Sequence, residues 1–216
     1  MPNGDLAPEY SYNGEISIRR TLQDHTSVEA QVYYTRLRDA IVRSFFTLKG
    51  ADSLLYDGDI YRITANTNAG KAHIYGAAFG LKSRIFSHLE LKSTLNLTRG
   101  WNLSEDVPLG HIPPVFGRSS LEYRKNDWFN LILYARYAGW KLREDFSPYG
   151  EDNDEEAMLY GWPSWWTANL SAGFRLSEEM QMDVSLENIF DVFYKPYASG
   201  VSAPGRNFNL TLRYRR

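Results

Sequence analysis

The stretch that decides the fold class is LENIFDVFYKPYASGVSAPGR at residues 186–206, followed by NFNLTLRYRR at residues 207–216. A segment of alternating apolar side chains ends at Asn188-x-Phe190-Asp191, and an aromatic loop follows. A Pro-Gly-Arg turn at residues 204–206 closes the loop, and a second alternating segment runs from there. Because successive side chains of a strand point to opposite faces, this pattern indicates two strands joined by a long connection.

The same alternation with period two recurs along the whole chain. Met182, Val184 and Leu186 share one face of their segment, whereas the residues between them are polar. Helical spacing does not fit these segments. We therefore predict about nine strands, near residues 10–22, 26–46, 71–86, 89–99, 116–124, 128–142, 165–176, 180–188 and 207–214.

Short and long connections alternate between the predicted strands. Short turns are expected at residues 23–25, 87–88, 125–127 and 177–178, and long loops near 47–70, 100–115, 143–163 and 189–206. Bacterial outer-membrane barrels have short periplasmic turns and long extracellular loops. The pattern therefore predicts an all-β, antiparallel, up-and-down transmembrane β-barrel. Its last strand would run inward and leave Arg216 in the periplasm.

Composition narrows the function classes. The chain has 216 residues, a net charge of −2 and no cysteine, which gives no reason to expect a nucleic-acid partner and excludes a disulfide scaffold. The amino terminus, MPNGDLAPEYSYNGE, has neither the basic region nor the apolar core of a secretory signal. Since an exported protein needs such a signal, we expect the chain to be a fragment that lacks its signal peptide.

No catalytic or metal-binding motif is present. The chain has no Gly-x-Ser-x-Gly elbow, phosphate loop or His-Glu-x-x-His sequence, so we expect no enzyme activity and no bound cofactor. The acidic run at residues 151–156 lacks the glycine and the distal glutamate of an EF-hand loop. We interpret it as a solvated loop and predict no metal site.

Aromatic residues concentrate at the outer ends of the last strands. Trp165, Trp166 and Tyr194 lie near strand ends, where an aromatic girdle at the lipid headgroups explains them. Other residues lie deeper in the predicted extracellular loops, where a planar or macrocyclic ligand can stack or be ligated. These candidate ligand contacts are Tyr149, Tyr160, Trp162 and His111.

The carboxy-terminal pattern resembles the signature of TonB-dependent outer-membrane receptors. The likeness is carried by Asn188, Phe190, Asp191, Tyr194, Pro204, Gly205, Arg206 and Tyr214. Two weaker likenesses are IPPVFGRSSLEY at residues 112–123 and PE at residues 8–9 with Asn13 and Glu15. Ser17 and Ala78 depart from the family pattern, and Arg216 replaces the usual terminal aromatic residue.

The resemblance implies that residues 1–216 are the carboxy-terminal part of a 22-stranded barrel whose plug domain is absent here. The complete receptor would lie in the bacterial outer membrane, in contact with its lipid, and would bind a small-molecule nutrient chelate. Ferric siderophores, haem and cobalamin are the typical classes. TonB would act through the missing amino-terminal region. Two alternatives remain open at this stage: a soluble or surface β-sandwich acting as a binding or structural module, and a small self-contained outer-membrane barrel.

Overall fold

The chain forms antiparallel strands that follow one another in space in nearly the same order as in sequence. The computed structural model describes residues 4–22, 25–68 and 70–215. The strands are β1 (Tyr10–Leu22), β2 (Thr26–Arg38), β3 (Ile41–Phe45), β4 (Ser53–Tyr56), β5 (Asp59–Arg62), β6 (Thr64–Asn68), β7 (Lys71–Phe86), β8 (Leu89–Asn102), β9 (Val107–Pro108), β10 (Phe116–Lys125), β11 (Phe129–Ala138), β12 (Lys141–Leu142), β13 (Gly161–Trp162), β14 (Trp165–Arg175), β15 (Met180–Glu187) and β16 (Asn207–Tyr214).

Nine of these strands make one sheet in the order β1-β2-β7-β8-β10-β11-β14-β15-β16, and the short β9 pairs with the end of β8. Every neighbouring pair is antiparallel. The predicted all-β, up-and-down architecture of about nine strands is therefore confirmed. Among the described residues, no helix is long and apolar enough to cross a bilayer.

The two faces of the sheet differ sharply in chemistry. The register places Leu170 between Leu133 and Leu186 on one face, which we call the outward face. No second sheet covers it among the described residues, so Ile16 is 66% exposed and Leu212 is 62% exposed. A wide apolar face left open in this way is typical of a surface that contacts lipid.

The opposite face, which we call the inner face, carries polar and charged side chains. The Lys92 ammonium bridges Glu122 at 2.6 Å and Glu90 at 3.1 Å, linking β8 to β10. Arg19 pairs with Glu29 at 2.8 Å across β1 and β2. Paired charges on the inner face are what a polar barrel interior requires.

Aromatic rings border the apolar band at both ends of the strands. At the loop end the Trp166 and Phe190 rings are 5.6 Å apart, and at the turn end the Phe129 and Phe174 rings are 5.2 Å apart. The eight steps from Trp166 to Phe174 cover about 26 Å along the strand at roughly 3.3 Å per residue, so even a tilted strand spans most of the lipid-facing band of such barrels. Only the girdle at the loop end was predicted from the sequence.

Two predicted strands were too long. β2 stops at Arg38 because Asp39 takes a left-handed conformation with φ of 53°, and the separate strand β3 then pairs with β6. β11 stops at Ala138, and the later residues form β12, which pairs with β13. In contrast, β8 continues three residues beyond its predicted end, to Asn102.

All the long connections leave the same end of the sheet, as predicted. We call them the first loop (residues 39–70), second loop (103–115), third loop (139–164) and fourth loop (188–206). Short turns at 87–88, 126–128 and 176–179 occupy the other end. Residues 23 and 24 of the first predicted turn, and the terminal Arg216, lie outside the described residues.

The first loop contains a hairpin of its own, made of β4 and β5. Asp57 and Gly58 form its tip, both with positive φ, as a tight two-residue hairpin turn requires. Leu55 is 69% exposed and Ile60 is 76% exposed. Arg62 stacks over the Phe45 ring at 3.8 Å and holds the base of this hairpin against the rest of the loop.

Candidate ligand-binding site

A cavity of about 590 Å³ lies at the loop end of the inner face. Its floor is formed by inner-face residues at the ends of strands, Leu37, Ile74 and Asn102. The first, second and third loops build its walls. The loop residues that line it are Ile41, Val42, Arg43, Thr64, Ala65, Asn66, Val107, Pro108, Leu109, Gly110, His111, Ile112, Ser147, Tyr149 and Gly150, with Glu9 from the amino-terminal segment. Its volume is in the range of ordinary small-molecule sites.

Tyr149 stands in the wall of this cavity and joins three loops. Its ring meets the Phe45 ring edge-on at 5.1 Å, and its hydroxyl donates to the Glu105 carboxylate at 2.8 Å. The amide of Asn102 donates to the same carboxylate oxygen at 2.9 Å. Burial and the Glu105 contact raise the pKa of Tyr149 from 10.0 to about 12. The hydroxyl is therefore a neutral donor across the physiological pH range.

His111 lies at the rim of the cavity, in the second loop. Its backbone is left-handed, with φ of 63°, and its amide donates to Glu151 at 3.0 Å. The imidazole Nδ1 is 2.7 Å from an Asp152 carboxylate oxygen, and the side chain is 64% exposed. The ring is therefore held in place by Asp152 while its other edge stays open to solvent.

Glu151 is the centre of the loop assembly. Its side chain is fully buried, with one oxygen accepting from the Ser147 amide at 3.1 Å and the other from the Tyr197 hydroxyl at 2.6 Å. The ammonium of Lys141, itself only 2% exposed, lies 3.8 Å from this carboxylate. Together with the His111 amide, these contacts join the second, third and fourth loops at one buried carboxylate.

The surroundings of Glu151 also change the acid–base behaviour of its partners. Burial lowers the pKa of Lys141, and the charge of Glu151 partly opposes that shift. Burial and the hydrogen bond to Glu151 raise the pKa of Tyr197. The acidic run at residues 151–156 was interpreted as a solvated loop, and for Glu151 that interpretation was wrong. Within the described residues, no group of three or more His, Asp or Glu side chains is placed to hold a metal ion.

The structure does not bring all the predicted ligand contacts together. Tyr149 and His111 line the same cavity. Tyr160 lies in the tight turn between Met158 and Gly161 and is 71% exposed. Trp162 is 2% exposed and packs edge-on against Tyr197 at 6.2 Å, and its indole N–H has no hydrogen-bond partner. In this arrangement Trp162 supports the loops from within and presents no open ring face.

The carboxy-terminal signature residues form a clamp on the fourth loop. The Asn188 side chain accepts from the Val192 amide at 2.9 Å and donates to the carbonyls of Val192 and Pro204 at 2.8 and 3.3 Å. Asp191 accepts from the Arg206 amide at 2.7 Å. A Cβ on Gly205 would come within 2.6 Å of that Asp191 oxygen, so the glycine leaves room for the contact.

The remaining signature residues lie outside this clamp. Arg206 donates from Nε to the Ile189 carbonyl at 2.8 Å. Phe190 packs on Trp166, and Tyr194 packs on Trp165 with 4.2 Å between ring centroids. Tyr214 lies at the opposite end of β16, where it faces Met180. Sequence patterns alone do not identify Arg43 and Asn102 in the cavity, or Glu105 behind Tyr149, because polar residues near strand ends carry no motif of their own.

Comparisons with known proteins agree with this fold. A family model described as "TonB dependent receptor-like, beta-barrel" matches residues 1–189, so of the carboxy-terminal signature residues it includes only Asn188. A comparison with curated proteins finds no significant match.

Several solved structures are similar. The copper transporter OprC is 19% identical with a TM-score of 0.78, and the match covers 98% of this chain and 32% of OprC. The siderophore receptor PirA from Acinetobacter baumannii is 21% identical with a TM-score of 0.71, covering 98% of this chain and 32% of PirA. The FrpB iron transporter from Neisseria meningitidis is 15% identical with a TM-score of 0.71, covering 97% and 32%.

The chain thus spans about a third of the length of these structures, and at such identities they establish the fold alone. The match to the family model is broader, because it covers most of the chain. The described architecture, an open antiparallel sheet with an outward apolar face and long loops at one end, agrees with part of such a barrel. The chain belongs to the TonB-dependent receptor-like β-barrel family.

Proposed function

We propose that the chain is the carboxy-terminal barrel portion of an outer-membrane receptor for TonB-dependent uptake of a scarce nutrient. In the complete protein, further strands would close the barrel, and a plug domain would lie against the inner face. The observation that carries the proposal is the cavity enclosed by interlocked loops at one end of a lipid-facing sheet. A ligand captured there would lie above the polar interior through which it must pass.

The open sheet edges support a larger assembly. Among the described residues, β1 and β16 each pair on one side only. Unpaired backbone groups in hydrocarbon cost several kcal/mol each, so a stable membrane-spanning form needs these edges to be paired. The self-contained small barrel is therefore disfavoured. The soluble β-sandwich alternative was wrong, because no second sheet packs on the outward face in the described part of the chain.

The class of nutrient is a separate part of the proposal. Tyr149 offers a hydroxyl and a ring edge, His111 an imidazole, and Arg43 a cation, in a cavity that is lined by both apolar and polar side chains. This mixture suits an organic chelate with apolar and anionic parts, such as a ferric siderophore or haem. Similar proteins are named as a copper transporter, an iron transporter and a siderophore receptor, and copper extends the classes expected from the sequence.

The test is a binding panel on the complete protein that contains this chain, purified from outer membranes in detergent. Ferric siderophores, haem, cobalamin and copper would each be titrated against the wild type, Ile41→Trp and Ile60→Trp. Ile41 lines the cavity, whereas Ile60 projects from the β4–β5 hairpin. We expect the true ligand to bind at least tenfold more weakly to Ile41→Trp alone.

Uptake by cells provides the second arm. Cells that carry the receptor should accumulate the same ligand only when TonB is present. Equal binding by both tryptophan variants would place the ligand outside the cavity. TonB-independent accumulation, or an upstream reading frame that encodes no plug, would contradict the transport proposal.

A further inference from the structure

Four cationic side chains and one histidine cluster on the outward face at the loop end of β2, β7 and β8. Arg36 and Arg38 end β2, Lys71 and His73 begin β7, and Arg99 lies near the end of β8. The alternation of each strand puts all five side chains on the same face as the apolar band. We call this set the outer cationic patch.

The register makes the patch continuous across strands. Arg38 is the Cα partner of Lys71 on one side and of Tyr10 on the other. Arg36 is likewise partnered by His73 and by Tyr12. The cations are therefore close neighbours, with tyrosines bordering them on β1.

The patch follows directly on the membrane-facing part of the same strands. One position before Arg36 on this face is Tyr34, which is the partner of Tyr75 on β7. Beyond Tyr34 come Val32, Ala30 and Val28, which belong to the apolar band. Along β2 and β7 the order is therefore hydrocarbon-facing residues, then tyrosine, then cation, which matches the order of acyl chain, interface and headgroup in a lipid.

The charges of the patch are mostly unbalanced within the protein. Arg99 pairs with Asp145 at 3.1 Å. In the described ranges, Arg36, Arg38 and Lys71 form no ion pair, and no outward-facing position of β1, β2, β7 or β8 is acidic. On the inner face of these strands, in contrast, the cations are balanced, because Arg19, Lys82 and Lys92 all pair with carboxylates.

We propose that the outer cationic patch binds the phosphate groups of an anionic lipid in the outer leaflet, whose acyl chains lie along the apolar band below it. Guanidinium groups bind phosphate through paired N–H donors, and the adjoining tyrosines provide hydroxyl donors at headgroup depth. Free phosphate has no acyl chains to contact the apolar band, whereas a lipid contacts both the band and the outer cationic patch. The inference rests on the proposed function only in placing the loop end outside the cell.

The test uses the complete protein purified from outer membranes in nonionic detergent. Native mass spectrometry would count bound molecules during titration with diphosphoryl lipid A. Titration with the same lipid after removal of its phosphates shows whether the acyl chains alone are enough for binding. Competition with inorganic phosphate shows whether a free anion can replace the lipid. The test variant is Arg36→Gln/Arg38→Gln. The matched control is Arg20→Gln/Lys125→Gln, which removes two outward-facing cations at the turn end of the strands.

We expect the test variant to bind diphosphoryl lipid A about twenty- to thirtyfold more weakly, at about fivefold per cation near an anionic surface. The control should bind as the wild type does. The inference is overturned if the dephosphorylated lipid binds equally well, if inorganic phosphate displaces the lipid, or if both variants lose equal affinity. Circular dichroism would confirm that both variants are folded.

A separate labelling experiment distinguishes this inference from the proposed orientation. Because the chain has no cysteine, Lys49→Cys adds a single site within it for an impermeant maleimide on whole cells, and the unsubstituted protein gives the background labelling. If the Lys49→Cys protein is labelled from outside but the test variant binds lipid as the wild type does, the lipid-binding proposal is rejected and the proposed orientation stands. Failure to label would reject the orientation itself.

Discussion

The Tyr197 hydroxyl donates to the buried Glu151 carboxylate at 2.6 Å, and this contact fixes the fourth loop to the third. The same carboxylate accepts the His111 amide from the second loop. Three loops that are far apart in sequence therefore depend on one acidic side chain. Two of the loops that wall the candidate cavity, the second and the third, are therefore tied to each other and to the fourth at this carboxylate.

We expect Glu151→Ala to loosen these loops together. The substitution leaves the buried Lys141 cation without its carboxylate, and breaking a buried pair in this way costs about 3–5 kcal/mol. Hydrogen exchange should rise in the second, third and fourth loops and stay unchanged in the strands. Glu155→Ala, an exposed neighbour in the same acidic run, is the control and should have no effect.

A second change tests whether the unpaired charge is the cause. The double variant Glu151→Ala/Lys141→Met should recover part of the lost protection, because no buried cation remains. If the double variant is as loose as the single one, the hydrogen bonds to Glu151 matter more than its ion pair.

Asn188→Ala should release the fourth loop from the end of β15. Asn188 is 3% exposed and has φ of 49°, a left-handed conformation that asparagine tolerates well. Losing its side-chain contacts to Val192 and Pro204 leaves part-buried backbone groups without these partners, at about 1–2 kcal/mol. Limited proteolysis within residues 189–206 should become faster, with Asn209→Ala as the exposed control. Unchanged cleavage would show that the clamp does not depend on Asn188.

Gly117→Ala should weaken the sheet between β8 and β10. An added Cβ would lie 2.3 Å from the Thr94 carbonyl oxygen and 2.6 Å from the Tyr137 ring, so the backbone has to move. We expect a loss of about 1–3 kcal/mol, which is typical of overpacking. Thermal melting in detergent measures it. Gly14→Ala, whose Cβ would have no neighbour within 4 Å, should melt no lower than the wild type.

Alkaline pH should weaken the contact between Tyr149 and Glu105. The tyrosine pKa rises from 10.0 to about 12 in the folded protein, so the folded state holds this proton more tightly than the unfolded state. The stabilisation is therefore complete below pH 10 and is lost as the pH rises from 10 to about 12. The tyrosinate absorbance of the wild type minus that of Tyr149→Phe should titrate near pH 12. A midpoint near 10 would mean that the hydroxyl is not held by Glu105.

The number of strands and the face on which each side chain lies could be predicted, because the alternation of apolar and polar residues is a local property of the sequence. The errors at the ends of β2 and β11 have a local cause too. Strand-forming apolar residues continue past Arg38, but the left-handed Asp39 turns the chain out of the sheet. One residue with unusual backbone geometry is enough to end a strand, and the alternation does not record it.

The site was harder to predict than the sheet. Tyr149 and His111 could be singled out because aromatic and imidazole side chains in long loops are conspicuous. Glu151 could not, since it begins an acidic run that looks solvated, and its burial depends on Lys141 and Tyr197 from other parts of the chain. Trp162 was expected to face a ligand, yet the loops fold over it.

The β4–β5 hairpin has a practical consequence. Its tip at Asp57 and Gly58 stands apart from the loop contacts centred on Glu151, and the residues flanking the tip are open to solvent. An epitope or fluorogenic peptide inserted between these two residues would extend a turn without cutting through the sheet or the cavity wall. The hairpin is thus a suitable place on this chain to attach a reporter for following the proposed receptor on living cells.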